Sequence, residues 1–274
     1  MFEFLLVVST VIFGVGCRSF QTKLIHKIGT LSFITSTFLA GYFISNYQVL
    51  SGLFFASSWL FLPLIGIFLT SRKLRLPLEK KLRNRFPPNR DLFPQLPEFT
   101  LKIEDEGFEH VQDSGWEWMD RDQFIRFFYN DESKLQATIN FNRLSDFGIA
   151  YISLCSRTND GKTLMTWNYP YRSSMQLQPD CIINPVRDIS SFSELIQIHN
   201  KFLTNKGILD KDLIETDPEI LDKLAEKDMR DQVDHNLDKG FLKLTGNGTF
   251  SYSYKGLFYV WLQAVKDMIR YFLN

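Results

Sequence analysis

The sequence is poor in the residues that carry most enzyme chemistry. Of 274 residues, three are cysteine and four are histidine. Cys17, Cys155 and Cys181 form no C-x-x-C pair, which excludes the usual zinc and dithiol redox spacings. Cys17 closes a hydrophobic segment, so Cys155 with Cys181 is the one pairing left, and the thiols read as reduced. A nucleophile elbow, a Walker loop and a dinucleotide-binding glycine pattern are all missing. No catalytic, cofactor-binding or metal-binding residue is assigned, and no cofactor is expected.

Acidic residues are nearly absent from the first third. Residues 1–90 hold eleven Lys or Arg and two acids, Glu3 and Glu79, while the remainder holds 20 basic and 29 acidic residues. A net charge of zero thus hides a basic start and an acidic remainder. The acidic part argues against nucleic acid as a partner, because neutralised phosphates supply most non-specific affinity.

What the chain has in abundance is uncharged apolar sequence, enriched in phenylalanine. Residues 49–70 form a run of 22 without a charge. A helix of that length measures ~33 Å, enough for the ~30 Å hydrocarbon core of a bilayer. Pro63 lies inside it, which a membrane helix tolerates. Residues 28–45 form a second uncharged run, and Asn46, Tyr47 and Gln48 are the whole link between them. So short a link predicts an antiparallel helical hairpin. Residues 4–16 are a weaker case, ~20 Å of helix. Gly14-Val15-Gly16 resembles a signal-peptide cleavage site, but no Lys or Arg precedes the apolar run. A short third span is the expectation.

Orientation follows from the cations beside the spans. Arg72, Lys73, Arg75, Lys80, Lys81, Arg83 and Arg85 follow the last run, and Arg18, Lys23 and Lys27 precede the second, whereas the 46–48 link has none. Both basic sides are expected in the cytosol. The chain therefore reads as an integral membrane protein (of the inner or plasma membrane, if bacterial) with its C-terminal domain cytosolic. The seven cations from Arg72 to Arg85 are also candidate contacts for anionic lipid headgroups, beside the plainer reading that they only set topology.

Four regions are predicted: transmembrane helices over 1–70, a basic juxtamembrane segment and Pro-rich linker over 71–97, a cytosolic α+β domain over 98–208, and a helix–β-hairpin–helix module over 209–274. In the α+β domain a helix is expected near 98–106, closed by Gly107. From 108 to about 170 the period changes to two, clearest where Leu135, Ala137, Ile139 and Phe141 alternate with Gln136, Thr138, Asn140 and Asn142. This predicts an antiparallel meander of about five strands, each burying one face, with a hairpin at Asn159-Asp160-Gly161. Ser191 and Glu194 have capping-box spacing ahead of a helical stripe that includes His199. Asp217-Pro218 opens a further helix, and Gly246-Asn247-Gly248 marks a second hairpin.

The isolated candidates have plain structural readings beside their functional ones. His199 on its apolar stripe reads as a hydrogen-bonded core histidine. Asp231 and His235, one turn apart, suit a metal or a proton relay, but equally a solvated helix face. Trp116, Trp118, Trp167 and Tyr169 suit either a pocket wall or the core. Residues 217–254 have a winged-helix outline, yet 217–239 carry eight acids against four bases, the wrong charge for a DNA reader. The C-terminal helix, 257–273, is apolar nearly all round. Phe258, Trp261, Leu262 and Tyr271 are candidates for a membrane-surface face, with its other side on the hairpin.

The expected function is a membrane-anchored cytosolic interaction or sensory domain without catalytic activity. Its partners are the bilayer, with its anionic headgroups as a further contact, and an unidentified protein. The alternative is an enzyme acting on a membrane-proximal or lipid-derived substrate, and the third reading a tethered regulator with the winged-helix-like unit as its head. A concave site gathering polar side chains with perturbed pKa values separates the first two.

Overall fold

The computed structural model describes every residue except Gln21, Arg72, Lys73, Ser145, Asp146, Asp188 and Asn274, and the side chains of Lys23, Tyr271, Phe272 and Leu273. The chain divides into two compact units, Met1–Lys73 with Leu257–Asn274, and Leu74–Gly256.

The first unit is helical: α1 (Phe2–Arg18), α2 (Lys23–Ile44), α3 (Val49–Ser71) and most of α7 (Tyr254–Leu273). Two helices are long and apolar enough to cross a membrane, Leu24–Ile44 with mean hydropathy 1.2 and Val49–Ser71 with 2.0. Apolar side chains such as Leu50 (80% exposed) and Phe54 (75%) stand uncovered on α3, a pattern a soluble helix avoids. The 46–48 link makes the expected hairpin, with Asn46 and Tyr47 both at positive φ. Glycines let the helices approach. A Cβ on Gly14 would meet the Gly29 carbonyl oxygen at 3.0 Å, and one on Gly41 would meet Phe55 at 2.6 Å. Small residues play this part where no hydrophobic drive brings helices together. Thr37 bonds back to its own helix and accepts from Trp59 Nε1 of α3 at 3.0 Å.

The second unit is built on a seven-stranded sheet in the order β2-β3-β4-β5-β6-β7-β8. These strands are β2 (Arg83–Asn84), β3 (Glu109–Trp118), β4 (Arg121–Asn130), β5 (Leu135–Leu144), β6 (Phe147–Arg157), β7 (Thr163–Trp167) and β8 (Cys181–Pro185). Five of them, β3 to β7, form the expected antiparallel meander. Two short strands extend it, and β8 joins β7 in parallel, so the sheet is mixed. Helices α4 (Leu96–Glu104) and α5 (Phe192–Asn205) cover one face, and α6 (Leu221–Asp238) lies against the other. Ser191 caps α5 by accepting from the Glu194 amide at 3.1 Å, while the Glu194 carboxylate reaches back to Ser190. A second sheet pairs β1 (Leu76–Pro77) with the hairpin of β9 (Leu242–Gly246) and β10 (Thr249–Tyr252). Asn247 and Gly248 both take positive φ in the hairpin turn, as a two-residue turn of this hand requires.

Within the predicted Pro-rich linker two side chains are packed. Phe93 (2% exposed) and Leu96 (5%) are core residues, and Phe93 stacks on Phe141 at 5.0 Å. Prolines on either side suggest a linker, but they say nothing about the aromatic between them. Each such buried side chain contributes about 1.5–3 kcal/mol relative to exposure.

Candidate functional site: a cavity beneath α6

Alternation along β5 sends Leu135, Ala137, Ile139 and Phe141 to the α4/α5 side, where they join Phe128 and Leu154 in the main core. Gln136, Thr138 and Asn140 point the other way, as the period of two demands. One buried face per strand implies a solvated opposite face, but all seven residues from Leu135 to Phe141 are buried. The polar face lines a cavity of about 250 Å³, room for about eight waters at ~30 Å³ each. Strand β6 repeats the pattern: Tyr151, Ser153, Cys155 and Arg157 line the cavity, while Ile152 and Leu154 join the core. Met165 and Trp167 of β7 add apolar wall, and Ala225, Asp228, Met229 and Gln232 of α6 form the cover.

Most polar groups around this space are already paired. Thr138 and Ser153 share a 2.6 Å hydroxyl bond, and Asn140 Nδ2 donates to Thr138 Oγ1 at 2.7 Å. On α6, Asn236 accepts from the Gln176 amide at 2.9 Å and donates back to its carbonyl at 2.8 Å. Gln232 likewise donates to that carbonyl, so residues 176–178 are clamped to the helix. Gln136 differs. It is 8% exposed, lines the cavity, and its carboxamide makes no hydrogen bond among the described residues.

The lining carries no net charge. Arg157 donates through both terminal nitrogens to Asp228, at 3.2 and 2.6 Å. Burial pushes the Cys155 thiol up to about 12 and the Cys181 thiol to about 11. The Tyr151 phenol is raised too, chiefly by burial. A thiol held in this form is not a nucleophile. The two cysteines lie on β6 and β8, either side of β7, so about 9–10 Å separates their strands. That exceeds the ~7 Å reach of a disulfide, and both are free thiols.

His199 is a core histidine. It is fully buried, with Nε2 3.0 Å from Ser156 Oγ and Nδ1 2.8 Å from Thr166 Oγ1. Asp231 and His235 are half-buried on α6, outside the cavity lining. The four aromatics part company. Trp167 lines the cavity, and Tyr169 packs 4.9 Å from Tyr151. Trp116 and Trp118 instead line a surface groove with the juxtamembrane segment.

Arg72 and Lys73 lie outside the described residues. Of the five described cations, Arg75, Lys81 and Arg83 are exposed. Lys80 sits over the Trp116 ring at 4.7 Å, and Arg85 bonds Glu117 at 3.1 Å and also Asp122. Glu79 pairs with Arg230 at 2.9 Å, and the Leu82 amide donates to Glu226 at 2.5 Å. Residues 79–82 therefore grip α6, the cover of the cavity. Burial first, then Arg121, pulls the Lys80 amine from 10.5 down to about 8. The unfolded amine keeps its proton to about 10.5 and the folded one loses it near 8. Stability should therefore rise as pH climbs through that window. Urea titrations at pH 8 and 10.5 check this, and Lys80→Met should flatten the rise.

The C-terminal helix is tied to α3. Trp261 Nε1 donates to the Leu60 carbonyl at 2.7 Å, and the indole stacks on Phe61 at 5.9 Å. Leu60 is halfway along α3, one residue past Trp59, whose carbonyl loses its helical donor to Pro63. A neighbouring helix commonly supplies donors at such a break. Trp261 thus meets the middle of the apolar helix, away from its basic end. Phe258 is exposed beside Trp261 and Leu262 is half-buried; the Tyr271 side chain lies outside the described residues. Near the start of α7, Gly256 sits so close to the Phe241 carbonyl that a Cβ would meet its oxygen at 2.0 Å.

No protein-family model matches the chain, and neither a curated protein nor a solved structure is significantly similar to it.

Proposed function

We propose that this chain is a membrane-anchored sensory domain whose soluble unit holds a small uncharged ligand in the cavity under α6. One observation carries the reading: the carboxamide of Gln136, a largely buried residue, has no protein partner among the described residues and opens into a charge-balanced space. A polar group that faces a cavity without a protein partner is left for water or a ligand to satisfy. The grip of residues 79–82 on α6 supplies the route by which occupancy reaches the membrane segment. The enzyme alternative has a cavity to use, but the thiols and phenol there are held in their neutral, unreactive forms.

In this reading α2 and α3 cross the membrane, α1 packs beside them as a short third span, and α7 shares the hydrocarbon layer with α3. The basic sides face the cytosol, together with the soluble unit. Glu132 is exposed at a turn of that unit. In intact cells a membrane-impermeant maleimide should leave Glu132→Cys unlabelled until lysis; labelling before lysis reverses the orientation. The full chain, purified in detergent and denatured, should release a small molecule detectable by mass spectrometry. Thr138→Phe, which fills the cavity, should release none, and equal release from both proteins removes the cavity from the account.

A further inference from the structure

We propose that the cavity selects a planar, uncharged molecule with an amide-type edge, an N–H beside a C=O, and that Gln136 pairs with that edge. The proposal rests on the ligand-binding reading above and names its ligand class. Several polar groups around Gln136 are already engaged: Thr138 by Ser153 and Asn140, and Gln232 by residues 176–178. On β5 the groups left open are the Gln136 carboxamide, both donor and acceptor, and the Asn140 oxygen two pleats along; elsewhere in the lining the Gln178 carboxamide and Arg157 Nε are also without a protein partner among the described residues. A carboxamide offers C=O and NH₂ side by side, so its full complement is a group that offers N–H and C=O side by side. An isolated hydroxyl or ether satisfies half of it. The walls argue for a flat body: Trp167 and Tyr151 meet edge to face at 6.3 Å, with Met165 beside them. A net charge is disfavoured because Arg157 and Asp228, the two charged groups of the lining, already neutralise each other through both terminal guanidinium nitrogens, which leaves only the Arg157 Nε–H as a donor. A volume of about 250 Å³ suits a ligand of one or two small rings.

Nicotinamide and nicotinate test this, since they share a shape and differ in charge and edge; toluene supplies the apolar control. Binding is measured by saturation-transfer NMR on the full chain in lipid nanodiscs. Nicotinamide is expected to bind at least tenfold tighter than nicotinate. Gln136→Leu should lose at least tenfold for nicotinamide, and Gln136→Asn, which keeps the carboxamide, should lose less. If Gln136→Leu fails to fold, the two-ligand comparison on the native chain decides alone. Equal or tighter binding of nicotinate overturns the proposal. So does toluene binding as well as nicotinamide with Gln136→Leu unaffected, although the ligand-binding reading then survives. If none of the three binds, and Thr138→Phe releases the same extract as the native chain, the proposal and the reading beneath it fail together.

Discussion

Acidification from pH 6.5 to 4 is expected to cost the Leu74–Gly256 unit about 3 kcal/mol through His199 alone. Burial lowers its pKa from 6.5 to about 4. The unfolded chain takes up a proton across that interval and the folded one does not, so stability falls as pH falls. A tenfold difference in proton affinity is worth about 1.36 kcal/mol, so the loss reaches about 3 kcal/mol near pH 4. A neutral imidazole donates through one nitrogen and accepts through the other, which suits the Ser156 and Thr166 hydroxyls on its two sides. His199→Leu removes the titration but strands two buried hydroxyls. That variant should be about 2–4 kcal/mol less stable at pH 7.5 and should lack this component of the acid loss. Urea midpoints at pH 7.5, 5.5 and 4 for both proteins give the comparison. Parallel curves would show that His199 is charged in the fold or does not titrate there.

Replacing Gly115 by alanine is expected to be at least as damaging. Gly115 lies in β3, opposite Phe124 of β4 and Arg83 of β2. A Cβ there would stand 2.1 Å from the Gln123 carbonyl oxygen and 2.6 Å from Arg85 Cδ. The arginine end can shift, but the carbonyl belongs to the neighbouring strand and can move only with it. Overpacking of this kind costs about 1–3 kcal/mol and sometimes more, and the contact with backbone puts Gly115→Ala at the upper end. The Arg85 bonds to Glu117 and Asp122 should loosen with it, freeing β2 and the residues before it. Hydrogen exchange of β3 amides together with the thermal midpoint reads both effects. Gly66→Ala, where a Cβ meets nothing within 4 Å, serves as the neutral control. A loss under about 1 kcal/mol at Gly115 would mean that the strands separate freely there.

Much of the fold was legible because it rests on short-range signals. The turns at Asn159-Asp160-Gly161 and Gly246-Asn247-Gly248, the cap at Ser191 and the period of β5 each need only neighbouring residues, and each appears where expected. The parallel strand β8 was missed because its partner β7 is separated from it by an irregular stretch with no periodicity. The packed Phe93 was missed because proline marks the chain path and not burial. The alternation of Tyr151, Ser153, Cys155 and Arg157 with Ala150, Ile152, Leu154 and Ser156 was available in the sequence as a second polar face matching that of β5. Two adjacent polar faces in register are the one local signal that pointed toward a shared cavity.

Residue order alone settled the two long apolar helices, the tight link at 46–48, the charge asymmetry and most strands, because length, hydropathy and alternation are properties of contiguous sequence. Tertiary structure alone decided what stands over the polar side of β5. A period of two says that alternate side chains share a face, but not whether water or protein covers it. Here the cover is α6, which begins about eighty residues beyond Asn140 and packs on its own apolar positions Leu221, Ala225 and Met229 against Ile125 and Phe127. The same holds for Trp261, whose partner is a carbonyl 201 residues earlier. Both contacts join segments whose separation in sequence leaves no local trace, so only the folded chain brings them together.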